Sequence, residues 1–242
     1  MEKISQKDID WLLNLKSSSG INKSLTLSQK RKKIALRVVG SLCLFFTLTI
    51  LPFYLLIRTS VYLYLSYGFN GWISLTIGII ATILLLVVYM LILLRKVENR
   101  RLLYRYCIAG ITSLVLGFSL YGVFYISSVN AKSEEIRSVY RSLHPVLRVA
   151  VATTTLADGG LIITDIQRNP EDYETMGLPV NHASLHYTQE NGYVHAIDLR
   201  TAERWAIRNF LLRTSLEIMG FNTLRHVGTA DHLHVALPLR KQ

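Results

Sequence analysis

Cysteine is nearly absent from this 242-residue chain. Only Cys43 and Cys107 occur, each inside an apolar run, and the C-terminal half has none. That excludes a disulfide framework and a zinc–thiolate site in that half. Histidine is missing from the first half: His144, His182, His186, His195, His226, His232 and His234 all lie later. Acidic residues are scarce early as well. Residues 1–126 carry 15 Lys+Arg against 4 Asp+Glu, whereas residues 127–242 carry 12 of each, so the formal charge of +11 belongs to the first half. A nucleic-acid binder carries its basic excess on its folded soluble part. Here the excess flanks hydrophobic runs, which argues against a nucleic-acid partner and reads as a topology signal. No internal repeat and no low-complexity tract occurs.

Long uncharged runs are what the first half does contain. Half of all residues are hydrophobic and the mean hydropathy is +0.31. Val38 to Ile57 is an uncharged run of 20 residues, enough to span ~30 Å of hydrocarbon as a helix. Pro52 is a candidate kink and Arg58 the expected end. Thr59 to Leu94 is also uncharged but too long for one helix. Tyr67-Gly68-Phe69-Asn70-Gly71 signals a turn, leaving Trp72 to Leu94 as the second span. Tyr106 to Ile126 is the third, with Gly110, Gly117 and Gly122 as candidate packing points. Tyr62, Tyr64, Tyr67 and Trp72 suit a membrane interface.

Fourteen of the 15 basic residues fall on one side of these spans and only Arg58 on the other. The expected partner is therefore a lipid bilayer, a bacterial-type cytoplasmic membrane, with the N-terminus inside and the C-terminal domain outside. No cleavage site follows the first apolar run, which is too long for a signal segment and is expected to be retained. The expected domains are a cytoplasmic segment (1–34), a three-helix membrane region (35–126) and an extracytoplasmic domain (127–242). In the first, Asp8 to Leu15 reads as a short amphipathic helix and Ser17 to Gly20 as a loop.

The last domain mixes helices and strands without βαβ alternation. Helices are predicted over Ala131–Leu143, Pro145–Leu156 and Thr201–Met219, the last amphipathic, with Ala202, Trp205, Ile207, Phe210, Leu211, Leu216 and Ile218 apolar and Gly220 as its cap. Strands are predicted at Leu161–Thr164 and His195–Leu199 and within Leu224–Leu239. The expected fold class is three transmembrane α-helices plus a C-terminal α+β domain with a small, mostly antiparallel sheet.

Three segments carry candidate chemistry: Ile163 to Pro170; Ser184-Leu185-His186 followed by Gly192 and Ala196-Ile197-Asp198-Leu199; and Asp231-His232-Leu233-His234-Val235. A catalytic zinc needs about three protein ligands and an open position for water. His186, Asp198 and His234 can supply the ligands, Asp231 or His232 a base, and Arg168 a positive charge for an oxyanion. In a strand His232 and His234 face the same side. Thr201 is a better helix cap than Asp198, which leaves Asp198 for metal.

These segments resemble the zinc peptidase superfamily of D-Ala-D-Ala carboxypeptidases, L-Ala-D-Glu endolysins and the hedgehog signalling domain. The resemblance covers roughly residues 140–240 and rests on Arg168 after its strand, on Ser184, His186, Ala196 and Asp198, and on Asp231, His232 and His234. It implies a hedgehog/DD-peptidase-like fold, a Zn2+ cofactor and hydrolysis of peptide bonds in cell-wall peptidoglycan. A non-catalytic zinc- or wall-peptide-binding domain, with the helices joined to another membrane protein, is the alternative. One departure stands out: His186 and Asp198 are 12 residues apart, further than in the family pattern, so Tyr187 to Val194 must hold an extra loop. His195 or His182 is then a reserve ligand, while His144 and His226 read as structural.

Overall fold

In a computed structural model the uncharged runs form three long helices. The structure describes residues 7, 10, 27–97, 101–175, 177, 179–228 and 231–239. The helix expected at Asp8–Leu15 and the loop at Ser17–Gly20 lie outside the described residues. The chain divides into two compact units, Met1–Leu48 and Thr49–Gln242. Helix α1 (Leu27–Tyr62) runs through both Pro52 and Arg58 and continues as a π-helical turn over Leu63–Tyr67. Arg58 therefore ends the uncharged run but not the helix. Gly68 stops it in a left-handed conformation (φ 71°). The Asn70 side chain then accepts from the Ile73 amide at 2.9 Å and starts α2 (Gly71–Leu94). The third helix is α3 (Arg101–Phe124). All three are long and apolar enough to cross a membrane.

Small residues set the close approaches. A Cβ on Gly78 would lie 2.3 Å from Ser60 Oγ and 2.5 Å from the Leu56 carbonyl, so α1 and α2 meet there backbone to backbone. Gly122 does the same against Ala152. A Cβ on Gly110 or Gly117, expected to help, would meet no other element within 4 Å among the described residues.

Beyond the three long helices, Ala131–Leu143 is broken rather than one helix: α4 (Glu134–Ser138), capped by Ser133, is followed by a 3-10 turn (Tyr140–Ser142). Pro145 at the first turn opens α5 (Pro145–Ala157). Every residue from Pro145 to Thr154 is buried, because α5 packs on α2 and α3 and shares one core with the sheet. That burial takes in Arg148, whose Nη1 donates to the Val123 carbonyl (2.8 Å) while its guanidinium lies over Trp72 and Tyr193.

The sheet has four strands, β1 (Ile163–Asp165), β2 (Ala196–Arg200), β3 (Asn222–His226) and β4 (His232–Ala236), in the order β1-β2-β4-β3 with all neighbours antiparallel. Alternation divides its faces. Ile197, Leu199, Leu233 and Val235 enter the core. Asp198 pairs with His234, and Arg200 with His232, on the other face.

A short helix, α6 (Pro170–Thr175), follows β1, and α7 (Ala206–Met219) follows β2. Gly220 caps α7 as expected (φ 104°), and of the apolar residues that marked the helix as amphipathic Leu216 is buried and the others within the helix are exposed. Asn209, Leu212, Leu216 and Met219 are buried, whereas Trp205, Ile207, Phe210, Leu211 and Ile218 are exposed. Thr201 does not cap the helix; its hydroxyl donates to Asp231 at 2.6 Å.

His144, which precedes α5, has both ring nitrogens buried without a hydrogen-bond partner among the described residues. Burial first, then the charges of His195 and Arg148, lower its pKa from 6.5 to about 3. Between those values the unfolded chain binds a proton that the folded chain refuses. Stability is therefore intact above about pH 6.5 and falls as the pH drops toward 3, by at most about 1.4 kcal/mol per pH unit. His144→Leu is expected to flatten the acid decline of Tm between pH 6.5 and 4 in detergent; equal slopes for variant and parent would refute the assignment.

Candidate metal centre

The β2–β4 register places the Asp198 and His234 side chains directly opposite on one face. His234 Nδ1 lies 2.9 Å from Asp198 Oδ1. His186 arrives from the loop after α6, with Nε2 3.2 Å from His234 Nδ1 and 3.3 Å from Asp198 Oδ1. Its segment is laced to the one after β1. The Arg168 amide donates to the His186 carbonyl (3.1 Å), and His186 Nδ1 lies 2.7 Å from the Ile166 carbonyl. A carbonyl can only accept, so Nδ1 carries the hydrogen and Nε2 presents a bare lone pair to the centre. Ser184 steadies the same loop: its Oγ accepts from the Tyr173 hydroxyl (2.7 Å) and from the His186 amide (3.3 Å).

Three electron-pair donors thus converge with one imidazole hydrogen to share among them. His186, Asp198 and His234 form a group that could hold a metal ion. A tetrahedral ion with bonds of ~2.0–2.1 Å sets its ligand atoms about 3.3 Å apart, and the observed 2.9, 3.2 and 3.3 Å separations match that closely. His186 and Asp198 are each only 2% exposed, while the His232 and His234 side chains are about a quarter exposed, so the centre opens on one side.

Asp198 is held as a carboxylate. Burial pushes its pKa up, but the close contacts with the His186 and His234 imidazoles and the charge of Arg168 outweigh that and bring it well below the usual range. Arg168 Nη2 donates to Asp198 Oδ2 at 2.6 Å, its Nε is paired with Asp165, and its guanidinium lies over the Tyr173 ring. Burial opposes the charge on Arg168, but the two carboxylates raise its pKa. The residue expected to stabilise an oxyanion is thus engaged in orienting Asp198. Asp165 and Tyr173 were not anticipated from the sequence. An acid three positions before a key arginine was the available signal for Asp165, and it is a common spacing for surface pairs.

The two candidate bases separate. Asp231 does not join the three: Arg225 Nη2 reaches its Oδ2 (2.7 Å), Arg225 Nε its Oδ1 (3.2 Å), and Thr201 bonds Oδ1 as well. Those bonds hold its pKa low. His232 Nε2 lies 3.7 Å from Asp198 Oδ2, beside the centre, and its ring stacks on His226 at 4.8 Å. His182 is exposed. His195 is turned toward the Asn191 side chain (2.8 Å) and the Leu237 carbonyl (3.3 Å), against Tyr64 and His144. Neither reserve ligand is drawn in.

The extra loop has its own anchorage. Thr188 pairs with Val194, the Gln189 amide bonds the Tyr193 carbonyl, and Gly192 takes φ 80°, which makes a tight excursion. Its tip reaches the start of α2 and the end of α1, with Trp72 Nε1 donating to the Tyr193 hydroxyl (2.9 Å) and Asn191 Nδ2 to that of Tyr64 (3.3 Å). The loop leaves and returns without displacing either ligand.

Because Arg168 orients one ligand through its outer oxygen, Arg168→Ala is expected to lower metal affinity ~10–100-fold, read by competition with a chromophoric chelator. Asp198→Ala should abolish high-affinity binding, and unchanged affinity in both variants would show that no ion sits here. No protein-family model, curated protein or solved structure matches the chain, so its own geometry carries the functional reading.

Proposed function

We propose that the chain is a membrane-anchored zinc peptidase-like protein whose C-terminal domain hydrolyses peptide bonds of cell-wall peptidoglycan. The observation that carries this is the convergence of His186, Asp198 and His234 at tetrahedral separations, with the tautomer of His186 set by the Ile166 carbonyl. Two imidazoles and one carboxylate with an open side are the donor set of a hydrolytic zinc site. When bound, zinc supplies a Lewis acid and brings a water toward ionisation near neutral pH.

The chain's own residues supply the rest. Arg168 fixes Asp198 and is a positioning residue. His232 is the group placed to take a proton and return it to the leaving amine, since it is partly exposed beside the centre while Asp231 is held by Arg225. The resemblance to the D-Ala-D-Ala carboxypeptidase and hedgehog superfamily supports the substrate class and the hedgehog/DD-peptidase-like fold. The clustering of basic residues on one side of the spans supports an extracytoplasmic domain in a bacterial-type cytoplasmic membrane, where wall peptide is found.

A second reading is a zinc- or wall-peptide-binding domain that does not turn over. The capture of Asp231 by Arg225 and Thr201 favours it, because it ties up one of the two candidate bases. Incubating the full chain with purified wall fragments separates the two. Cleavage abolished by chelator and restored by zinc is expected. His232→Ala should keep the metal and lose ~10²–10⁴-fold in turnover, whereas His234→Ala should lose both. Metal retention with no cleavage of any wall fragment would establish the binder instead.

A further inference from the structure

The outward arc of α7 is out of place on a domain surrounded by water. Ile207, Leu211 and Ile218, at i, i+4 and i+11, fall along one line of the helix, and each is more than half exposed. Phe210 borders this line, Trp205 precedes it, and both are more exposed still. Of the charged residues of the helix, Arg213 pairs with Glu217 on another arc, while Arg208 pairs with Asp158 and the two line the groove into which this line leads.

The apolar line runs into a groove of about 470 Å³ whose walls come from three helices. Leu211, Leu212 and Met219 of α7 form one wall, Leu156 of α5 another, and Ile50 and Phe53 of α1 the third. Ile50 and Phe53 belong to the uncharged run that ends at Ile57. The C-terminus of α7 is fixed to that same helix, since a Cβ on Gly220 would meet Arg58 Nη1 at 2.4 Å and Val61 at 2.9 Å. The exposed face of α7 is thus continuous with the surface of a spanning helix, at the level of its apolar residues.

We infer that α7 lies in the membrane interface, with Ile207, Leu211 and Ile218 in contact with lipid and acyl chains of the surrounding phospholipid filling the groove against Ile50 and Phe53. An amphipathic helix with an apolar line and arginines beside it is the form that binds in this plane. Trp205 at its start suits the headgroup level. The domain is therefore seated in the bilayer, not merely tethered to it, and α7 fixes how the metal centre stands above the lipid. This inference rests on the three long helices spanning the membrane.

Spin-label accessibility in the full chain tests it. With Cys43→Ala and Cys107→Ala as background, single nitroxides are placed through Ile207→Cys, Leu211→Cys, Arg213→Cys and, on the exposed side of α2, Leu84→Cys. The protein is reconstituted in phosphatidylglycerol/phosphatidylethanolamine vesicles. Collision with oxygen, which partitions into lipid, is compared with collision with a water-soluble nickel chelate. The labels at 207 and 211 should favour oxygen over nickel to within about three-fold of the label at 84, as expected for lipid contact, while the label at 213 favours nickel. If 84 reports lipid but 207 and 211 match 213, the domain stands clear of the bilayer and the inference fails alone. Shielding of 207 and 211 from both reagents, with spin–spin broadening, would assign the face to a second copy and also overturn it. A water-exposed 84 would overturn the membrane reading and this inference together.

Discussion

The pairing of Asp198 with His234 across β2 and β4 is the constraint on which the rest of the site depends. A buried carboxylate is costly unless it is paired and hydrogen-bonded. Asp198 is therefore meaningful only where Arg168 reaches one oxygen and two imidazoles reach the other. What holds that arrangement is on the opposite face of the sheet. Ile197, Leu199, Leu233 and Val235 are buried almost completely, each contributing roughly 1.5–3 kcal/mol through its burial. A one-residue slip of β4 would turn Leu233 and Val235 outward and bring His234 into the core. Hydrophobic burial on one side thus sets the register that positions polar chemistry on the other.

The parts of this legible in sequence were those governed by short periods. Strand alternation alone placed His232 and His234 on one face, and the family resemblance singled out His186, Asp198 and Arg168 together. The three long apolar helices were legible from the length of their uncharged runs. The break between α4 and the following turn was not, because a short amphipathic pattern fits either. The fate of Asp231 was not legible either: its partner Arg225 lies on β3, and only the β3–β4 hairpin brings the two together. A residue just before a strand can face either way, and a cross-strand cation decided the direction.

The apolar pattern of α7 is ambiguous for a more general reason. Periodicity records that a face leaves water, without recording what replaces the water. In a soluble domain the replacement is the protein core, yet Trp205, Ile207, Phe210, Leu211 and Ile218 stay exposed. The structure buries the arc of Leu212 and Leu216, on the far side of the helix from the line of Ile207, Leu211 and Ile218. A helix that has one arc in the core and a second apolar arc outside has more hydrophobic surface than its domain can cover. The residues nearest that second arc belong to a helix that is itself apolar enough for lipid.

The separation of His186 from Asp198 raises the matching question of what an inserted loop does to a metal site. Sequence distance between ligands matters only through the positions of the two ends. Here both ends are independently fixed, His186 by the Ile166 carbonyl and the Arg168 amide, and Asp198 by its place in the middle of β2. The residues between are free to serve another contact, and they meet Trp72 and Tyr64 at the junction of α1 and α2. An excursion that had merely drifted would leave its polar tip to solvent, whereas this one spends Asn191 and Tyr193 on side chains of the long helices. These contacts add to the packing of α5 along α2 and α3, the loop at one end of α5 and α7 beside the other. Packing along α5 with contacts at both of its ends removes the swivelling freedom that a single tether leaves, so the open side of the metal centre keeps a fixed direction relative to α2 and to the end of α1 after Leu48.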